Sequence, residues 1–578
     1  MKLAKPVMGR RVALGVSLTA FAAACIVLGM VPVAQAAVWT AGPTARIVPS
    51  SVPGTSQTAS VTAARGEFEG LIIGLRGGSA RNVSVTWNAG SDPLLSAAAL
   101  DQVAFVHIRR PTSFVGAKPG LYPDPLLPRA YGSTFTVPAG SSSVYLLFHV
   151  PYNTAAGQYT GSLHVSNGAG EQVDIPVTLT VYSFGWQKLS VQTAFGVSFK
   201  RLGGNLIADA KMFEDHGVTP EMPNVVPRTT ANGSIASGTY ASALQPYLSP
   251  DGLDLTITVM PWLNWWPSYA WHMHSGNTAL LNYLANVCRV FQANGWQDKL
   301  IAYPKDEPTT TSAEKTADAL ARTLHAASDR AGFRAKFLLT DDPRPTRITS
   351  HAANKFLWND VDIWCVRYYY FFGRVPVLRQ LQKKGAEVWW YPYFNSSVAH
   401  MPTFVIDKSL ADERVWGWLM YKWNVDGMLY YATTRWGNAL TNKGTRDPYK
   451  DPLSFRYSDG RVANGESSLV YPGYYPPYGL NDKSAPPVSS LRLEALRDGF
   501  QDLEYLRIAT RLGVSQSAID SVVNSVTWYP YPIKYGHIFK FPKYTTSQST
   551  FNAARASIAG LIEKAQQAQT ASSPSSGS

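Results

Sequence analysis

Residues 300–340 read LIAYPKDEPTTTSAEKTADALARTLHAASDRAGFRAKFLLT, and this stretch decides the fold of the larger part of the chain. It predicts an apolar strand at Leu300–Tyr303, an Ala-rich helix at Ala313–Gly332 and a second strand at Ala335–Thr340. Leucines at helical spacing fill the helix, and the glycine at its end is a stop signal. Two apolar strands joined by a helix are typical of a parallel βαβ unit.

The same alternation continues on both sides of this unit. Seven strands are predicted in all, at Val191–Phe199, Leu255–Met260, Leu300–Tyr303, Ala335–Thr340, Val361–Val366, Glu387–Tyr391 and Met428–Tyr431. An eighth is expected within the irregular stretch 215–230. Seven or eight such alternations over about 250 residues predict a parallel (β/α)8 TIM-like barrel.

Residues 37–187 contain short predicted strands separated by Gly and Ser turns, which predicts an N-terminal β-sandwich domain. Within 171–181, strict period-two alternation places one apolar set on one face of a strand: Val173, Ile175, Val177, Leu179 and Val181. Gly161–Gly170 predicts a strand and a turn, and further strands are expected at Val144–Val150 and Gly70–Leu75.

After the barrel the pattern becomes helical. Ser489–Leu512 carries an apolar stripe and is followed by Gly513, which predicts a helix that ends there. We therefore predict a multidomain β plus α/β protein with a catalytic barrel domain at 188–515. A C-terminal extension at 516–565 ends in a helix at Phe551–Ala565, and the Ser-rich tail 566–578 is expected to be disordered.

The first 36 residues predict a signal peptide. Four basic residues precede an apolar stretch at 12–33, and Ala34-Gln35-Ala36 matches a small-x-small cleavage site. We therefore expect export to the periplasm or the medium, with the mature chain starting at Ala37. Lipid attachment at Cys25 is an alternative, although Cys25 would then be followed by another apolar stretch.

The composition excludes several classes of protein. With 45% hydrophobic and 16% charged residues, the chain of 578 residues is too apolar to be disordered. The net charge of +13 falls to +9 once the leader is removed, and it is spread without a basic run, so no nucleic-acid partner is expected. No later apolar run approaches the roughly 20 residues of a transmembrane helix.

Neither a cofactor nor a metal is predicted. The mature chain has two cysteines, Cys288 and Cys365, with no metal-type Cys/His spacing around them. Two buried thiols or a single disulfide are both compatible with this spacing. The sequence also has no Gly-rich phosphate loop and no nucleophile elbow.

Asp306 and Glu307 are the best candidates for catalysis, because they follow an apolar strand directly. In a parallel barrel, catalytic groups lie where the strands end. Adjacent residues of a strand point to opposite faces, so both can reach one site only if the chain leaves the strand here. Pro304 and Pro308 favour this. The alternative is a surface Asp-Glu pair near a helix N-terminus.

The tryptophans are concentrated in the barrel, where 13 of the 17 lie between residues 262 and 436. Aromatic rings on loops offer apolar faces and polar edges, which suit sugar rings. The predicted substrate-binding residues are Trp262, Trp266, Trp389, Tyr391, Tyr393 and Trp436, with His272 and Asn395 as polar contacts.

Several motifs resemble the domain of unknown function 4091 family, which is the catalytic domain of glycoside hydrolase family 123. The barrel motifs are YPKDEP at Tyr303–Pro308, VWWY at Val388–Tyr391 and LRLEALRDGFQDLEYL at Leu491–Leu506. The last of these departs from the family pattern at Gln501, where the resemblance predicts Glu. The sandwich contributes ARGEFE at Ala64–Glu69 and AGQYTG at Ala156–Gly161. Together the resemblance covers about residues 60–515.

The resemblance implies a retaining N-acetylhexosaminidase, similar to an N-acetylgalactosaminidase, in which the 2-acetamido group of the substrate is the nucleophile. It implies that Glu307 is the general acid and that Asp306 orients the acetamido group. One alternative is a glycosidase for a sugar without an acetamido group, which pairs Glu307 with Asp341 or Asp342. Another is a secreted carbohydrate-binding or envelope protein without activity.

An independent observation from the sequence favours substrate assistance. The commonest barrel glycosidases carry a Glu nucleophile at the end of strand seven, which corresponds to Glu387–Tyr391 here. The only carboxylate of that strand, Glu387, is at its start, and its far end reads WWYPYFN. An acid is therefore absent where an enzyme nucleophile is expected.

Overall fold

The computed structural model describes residues 37–168, 170–221, 225–259, 278–347, 351–392, 401–530 and 541–572. A β-rich N-terminal region is followed by a barrel-like parallel sheet with helices around it, which confirms the predicted organisation at that level. The predicted signal peptide lies outside the described residues.

Ten strands form two five-stranded sheets in the N-terminal region. They are β1 Ala37–Ala41, β2 Ala59–Arg65, β3 Phe68–Gly77, β4 Arg81–Trp87, β5 Ala99–Ile108, β6 Gly120–Arg129, β7 Phe135–Val137, β8 Gly140–His149, β9 Gly157–Ser166 and β10 Gln172–Gly185. The strand orders are β1-β3-β8-β5-β6 and β2-β10-β9-β4-β7. A short helix, α1 at Pro93–Ser96, precedes β5.

One hydrophobic core lies between these two sheets. It includes side chains from β3 and β8 of the first sheet and from β4, β9 and β10 of the second. The predicted alternation in β10 is confirmed, because Ile175, Val177, Leu179 and Val181 are buried in this core and Val173 packs against it.

Seven parallel strands form the second part of the fold. They are β11 Gln192–Phe195, β12 Thr258–Val259, β13 Leu300–Ala302, β14 Lys336–Leu339, β15 Ile363–Arg367, β16 Glu387–Tyr391 and β17 Gly427–Tyr430. Their order is β11-β17-β16-β15-β14-β13-β12. Each predicted strand is present, and most are shorter than the apolar run that predicted them.

Residues 219–221 lie between the two edges of this sheet, inside the stretch where an eighth strand was expected. The Phe195 amide donates to the Thr219 carbonyl at 3.0 Å, and the Glu221 amide donates to the Phe195 carbonyl at 2.8 Å. On the other side, the Val259 amide donates to the Glu221 carbonyl at 2.9 Å. Backbone hydrogen bonds therefore join β11 to β12 through this segment.

Helices connect the strands and cover the sheet. They are α2 Phe199–Leu202, α3 Leu206–Glu214, α4 Ser237–Leu248, α5 Thr278–Ala293, α6 Thr311–Asp329, α7 Tyr368–Phe371, α8 Val375–Gln382, α9 Ala411–Lys422 and α10 Leu491–Arg511. Short 3-10 helices lie at Gln297–Lys299, Lys355–Asn359 and Pro476–Tyr478. Helix α6 starts at its threonines because the Thr310 hydroxyl accepts the Ala313 N–H at 3.1 Å.

Helix α10 is buried on nearly all sides, although the sequence predicted only one apolar stripe. The stripe packs in the core of the barrel part, where Asp502 also pairs with Arg414 of α9, and other polar side chains of α10 face the N-terminal sheets. There Arg492 pairs with Asp124 of β6 at 2.8 Å, and Gln501 bonds to the backbone of Phe68 in β3. The charged motif of this helix therefore joins the two parts of the protein.

The C-terminal part completes the fold. Strands β18 Leu453–Arg456 and β19 Val462–Asn464 form a hairpin after the barrel, and helix α11 Gln516–Val526 precedes the strands β20 Thr527–Trp528 and β21 Lys543–Tyr544. The last helix, α12, spans Gln548–Ser572. The prediction of a disordered tail from residue 566 is wrong as far as 572, because Ala- and Gln-rich sequence extends the helix.

Both cysteines of the mature chain are buried free thiols, so the disulfide alternative is wrong. Cys365 lies inside the barrel-like sheet and Cys288 lies on α5. Across the described ranges, no helix combines the length and apolar character needed to cross a membrane.

Candidate active site

Asp306 and Glu307 lie just beyond the carboxyl end of β13, where the chain leaves the sheet. Both line one cavity of about 760 Å³. Glu307 has a φ of 36°, in the left-handed region that a residue with a side chain adopts only at a cost of about 1–3 kcal/mol. This turn after the strand is what brings two adjacent carboxylates to the same cavity.

Asp306 is held through one carboxylate oxygen. The Tyr303 phenol donates to Oδ1 at 2.6 Å, and the Thr340 hydroxyl donates to the same oxygen at 3.0 Å. The Thr340 oxygen in turn accepts the backbone N–H of Glu307 at 2.8 Å. The second oxygen of Asp306 has no protein partner among the described residues.

Glu307 is also held through one oxygen. The guanidinium of Arg367 lies 2.5 Å from Oε1, and the Tyr391 phenol donates to Oε1 at 2.5 Å. Arg367 also donates to the Tyr391 oxygen at 3.1 Å. Burial opposes the charge of Arg367, but contacts with Tyr391 and Glu307 outweigh it and raise the pKa of the guanidinium. Burial, and then the charge of Glu307, raises the pKa of Tyr391.

The cavity is large enough for more than a single small group, within the range of about 300–1,000 Å³ typical of ligand pockets. Asp306 and Glu307 border it at the end of β13. Another part of its wall is apolar and aromatic, and consists of Tyr431 and Leu440 after β17 with Phe455 and Tyr457 from the β18–β19 hairpin. Tyr431 and Leu440 are 59% and 55% exposed, so they are free to contact a ligand.

Two predicted substrate-binding tryptophans are placed elsewhere, so these predictions are wrong. Trp389 is fully buried in the interior of the sheet, and its indole N–H donates to Glu387 at the opposite end of β16. Trp436 is buried, and its indole N–H donates to the Val470 carbonyl at 3.1 Å. Tyr391, on the same face of β16 as Trp389, does line the cavity.

Five other predicted contacts lie outside the described residues, and their roles remain predictions. These are Trp262, Trp266, His272, Tyr393 and Asn395. In the described part of the chain, no group of three or more His, Cys, Asp or Glu side chains is placed to hold a metal ion.

Sequence reasoning missed two further carboxylates that line the cavity, Glu221 and Glu466. Glu221, at the end of the segment that joins β11 to β12, lines the cavity with Asp306. Burial, and then the charge of Asp306, raises the pKa of Glu221 to about 8, so the side chain is neutral at pH 7. When ionised, Glu221 would also raise the pKa of Tyr303 and of Cys365. The expected eighth strand within 215–230 was the signal for it, since residues that end barrel strands face the active site.

Asp341 and Asp342 do not line this cavity. They border a smaller cavity of about 250 Å³ behind Glu307, and both are engaged by arginines. Arg344 bonds to Asp341 at 2.7 Å, and Arg374 pairs with Asp342. Burial, opposed by Arg344, raises the pKa of Asp341. These carboxylates are therefore fixed in a buried ionic network.

A cavity at the carboxyl edge of a barrel-like sheet, with two adjacent acids and an aromatic wall, defines a glycosidase-like site. Residues 271–509 match the family model of the glycoside hydrolase 123 catalytic domain. The protein is therefore a glycoside hydrolase that carries a family 123 catalytic domain, which confirms the resemblance seen in the sequence. No curated protein matches the chain significantly.

The chain shares its fold with a solved family 123 enzyme and matches two other glycosidases with low TM-scores. A family 123 glycoside hydrolase from Clostridium perfringens, studied for glycolipid glycan hydrolysis, is 12% identical with a TM-score of 0.62, over 93% of this chain and 99% of that chain. A Bacteroides ovatus GH5 xyloglucanase is 8% identical with a TM-score of 0.29, over 77% and 99%. A family 39 glycoside hydrolase from Bacteroides cellulosilyticus is 10% identical with a TM-score of 0.33, over 77% and 82%.

Proposed function

We propose that this protein is an exported, retaining N-acetylhexosaminidase, similar to an N-acetylgalactosaminidase, in which the 2-acetamido group of the substrate is the nucleophile. The observation that carries the proposal is how the two acids are held. Asp306 and Glu307 line one cavity, and each is anchored through one oxygen, which leaves the other oxygen for the substrate.

Asp306 has the role of orienting the acetamido group. Its anchored oxygen accepts hydrogen bonds from the hydroxyl groups of Tyr303 and Thr340, and its other oxygen can accept the acetamido N–H. This contact turns the acetamido oxygen towards the anomeric carbon and stabilises the positive charge of the oxazolinium-like intermediate. Fixed charges of this kind contribute about 10²–10³-fold to the rate.

Glu307 has the role of general acid and then general base. The described contacts of its carboxyl all go to Oε1, so Oε2 is left to carry the proton for the leaving oxygen. With 37% of its side chain exposed, Glu307 is accessible from the cavity. In the second step the same atom takes a proton from the water that opens the intermediate.

The end of β16 supports a nucleophile that belongs to the substrate. Tyr391 ends this strand, and the sequence has no Asp or Glu from residue 388 to 406. Glu387 lies at the other end of β16 and pairs with Lys336 at 2.5 Å. The position where the commonest barrel glycosidases place their nucleophile therefore holds a phenol that contacts Glu307.

The alternative acid pair, Glu307 with Asp341 or Asp342, is less well supported. A nucleophilic carboxylate must reach the anomeric carbon of a bound sugar. Asp341 and Asp342 point into an ionic network with Arg344 and Arg374 and are not part of the large cavity.

The proposal also covers the finer architecture and the export of the chain. We assign the parallel sheet as a (β/α)8 barrel with residues 219–221 in the second strand position, and the two N-terminal sheets as a β-sandwich. The small-x-small sequence Ala34-Gln35-Ala36 after an apolar stretch supports cleavage after Ala36. N-terminal sequencing of the exported protein should therefore begin at Ala37, and a lipid-modified Cys25 would contradict this.

Hydrolysis of 4-nitrophenyl sugars with and without a 2-acetamido group tests the proposed activity. We expect turnover of the acetamido sugars and little turnover of plain galactosides or glucosides. A thiazoline mimic of the intermediate should inhibit the wild type and bind D306A poorly. D342N, which changes the acid of the alternative pair, serves as a control and should retain turnover; efficient cleavage of a plain glycoside that D342N abolishes would favour the alternative.

A natural glycan is the next substrate to examine. The fold-related Clostridium perfringens enzyme was studied for glycolipid glycan hydrolysis, and the aromatic wall of this cavity suits a glycan with an apolar or ring-shaped leaving group. Glycolipid glycans ending in an N-acetylhexosamine therefore belong in the substrate panel.

A further inference from the structure

The hydroxyl group of Thr340 contacts both proposed catalytic residues at once. It lies just after β14, next to the end of β13, and Thr340 is 3% exposed. Its oxygen accepts the backbone N–H of Glu307 at 2.8 Å, and its hydrogen is donated to Asp306 Oδ1 at 3.0 Å. A hydroxyl group can do both because it is donor and acceptor together.

The contact with Glu307 acts on a strained part of the backbone. With a φ of 36°, Glu307 persists in this conformation only because surrounding contacts hold it. The Thr340 oxygen is the hydrogen-bond acceptor of its amide in the structure. Loss of that acceptor would free the peptide to relax, and relaxation would move the carboxyl away from Arg367 and Tyr391.

We infer that Thr340 is a positioning residue that fixes Asp306 and Glu307 relative to one another, so that the nucleophile-orienting group and the proton donor reach one substrate together. The inference rests on the proposed function, because it takes these two residues as the working pair. Thr340 borders the cavity and is 3% exposed, and its hydroxyl group acts through its bonds to the two acids.

Tyr303 provides a matched control in the same site. Its phenol donates to Asp306 Oδ1 at 2.6 Å and lies 3.2 Å from the Thr340 hydroxyl, and the described structure records no contact between its side chain and Glu307. Removal of the Tyr303 hydroxyl should therefore disturb Asp306 and leave the acceptor of the Glu307 N–H in place, whereas removal of the Thr340 hydroxyl should disturb both acids.

The experiment compares T340V, T340S and Y303F in the full-length protein. Valine has the shape of threonine without the hydroxyl group, and serine retains the hydroxyl group without the methyl group. We expect T340V to lower kcat about 10²-fold with little change in KM, since a misplacement of about 1 Å costs this much. T340S should recover most of this loss.

The choice of leaving group in the substrate distinguishes a disturbance of Glu307 from a disturbance of Asp306. A dinitrophenyl substrate needs little protonation, whereas an unsubstituted phenyl or alkyl glycoside depends on Glu307. We expect the loss in T340V to be several-fold larger for the poor leaving group, and the loss in Y303F to be the same for both substrates. A residue with a merely structural role would not produce this difference.

Three results would overturn the inference. They are T340V activity within about threefold of wild type, an equal loss in T340S and T340V, or a T340V loss that is independent of the leaving group. Thermal unfolding of each variant checks the fold, and T340A replaces T340V if the latter does not fold. If the wild type cleaves only a plain glycoside, the proposed function fails, but the same ratios measured on that substrate still decide the role of Thr340.

Discussion

Replacement of Gln501 by Glu is the most informative change outside the cavity, because the family resemblance predicts Glu at this position. Gln501 is 1% exposed on α10. Its side-chain oxygen accepts the Phe68 N–H at 2.9 Å, and its amide nitrogen donates to the Phe68 carbonyl at 2.7 Å. The side-chain amide of Gln501 thus makes the same kind of paired hydrogen bonds to β3 that the backbone of a neighbouring strand would make. An ionised carboxylate can make only the first of these two bonds.

The magnitude of the effect depends on pH. At pH 8 the new carboxyl of Q501E must either stay ionised, as a buried charge that costs about 3–5 kcal/mol, or stay protonated. To hold the proton almost four units above a usual pKa near 4.3 costs about 5 kcal/mol, since one unit is about 1.4 kcal/mol. At pH 5 the same proton costs only about 1 kcal/mol, and the neutral acid can make both bonds to Phe68.

The direction of this pH dependence follows from the linkage between protonation and folding. In Q501E the folded state favours the neutral acid, so the folded pKa lies above the unfolded pKa. The stability is therefore retained below the unfolded pKa and lost as the pH rises towards the folded one. We expect a loss of about 3–5 kcal/mol at pH 8 and about 1 kcal/mol at pH 5 relative to wild type.

Urea unfolding followed by tryptophan fluorescence at pH 5 and pH 8 measures this difference. Q501M, similar in length but unable to make either hydrogen bond, is the matched control and should show the same loss at both pH values. Wild-type stability in Q501E at pH 8, or a loss that does not change with pH, would refute the assignment of both hydrogen bonds to the amide of Gln501.

Three further predictions concern the barrel. E307Q should lower kcat/KM for poor leaving groups by about 10²–10⁴-fold and affect activated leaving groups less; equal losses would contradict the role of Glu307 as acid. W389A should destabilise the protein by about 3–5 kcal/mol, whereas Y431A should leave thermal stability unchanged and raise KM; the reverse pattern would contradict the placement of these rings. Because the pKa of Glu221 is raised to about 8 by burial and Asp306, a further negative charge forms in the cavity above that pH. E221Q should therefore lose less activity than wild type between pH 7 and 9, and an unchanged kcat/KM profile would contradict this.

Most of the fold could be predicted because periodicity is a local property of the sequence. The alternation in β10 and the strand–helix rhythm from β11 to β17 follow from which residues are apolar. The segment 219–221 was harder to predict from the sequence. Its backbone pairs with Phe195 and Val259, which are distant in the sequence, and its own residues show no regular pattern. The buried polar face of α10 was equally hidden, because a sequence pattern does not show that a second domain covers that face.

The site could be predicted in part. The carboxylates were found because they end a strand, and the same reasoning applies to Arg367, the last residue of β15. Trp389 was misassigned because the period of two places it on the inward face with Tyr391, but about 7 Å deeper in the sheet. Trp436 was misassigned because its indole packs into the core and bonds to Val470, which is distant in the sequence, whereas Tyr431 stays exposed.

Participation of the acetamido group as the nucleophile is tested most directly by the dependence of the rate on the nucleophilicity of its oxygen. The measurement is kcat/KM for 4-nitrophenyl substrates of one sugar whose 2-amino group carries acetyl, fluoroacetyl, difluoroacetyl or trifluoroacetyl. Each fluorine withdraws electrons from the carbonyl oxygen and scarcely changes its size. We predict that kcat/KM falls steeply and steadily along the series, because this oxygen attacks the anomeric carbon in the transition state. A kcat/KM that stays constant along the series would show that the acetamido oxygen takes no part in the transition state and that a carboxylate of the protein is the nucleophile.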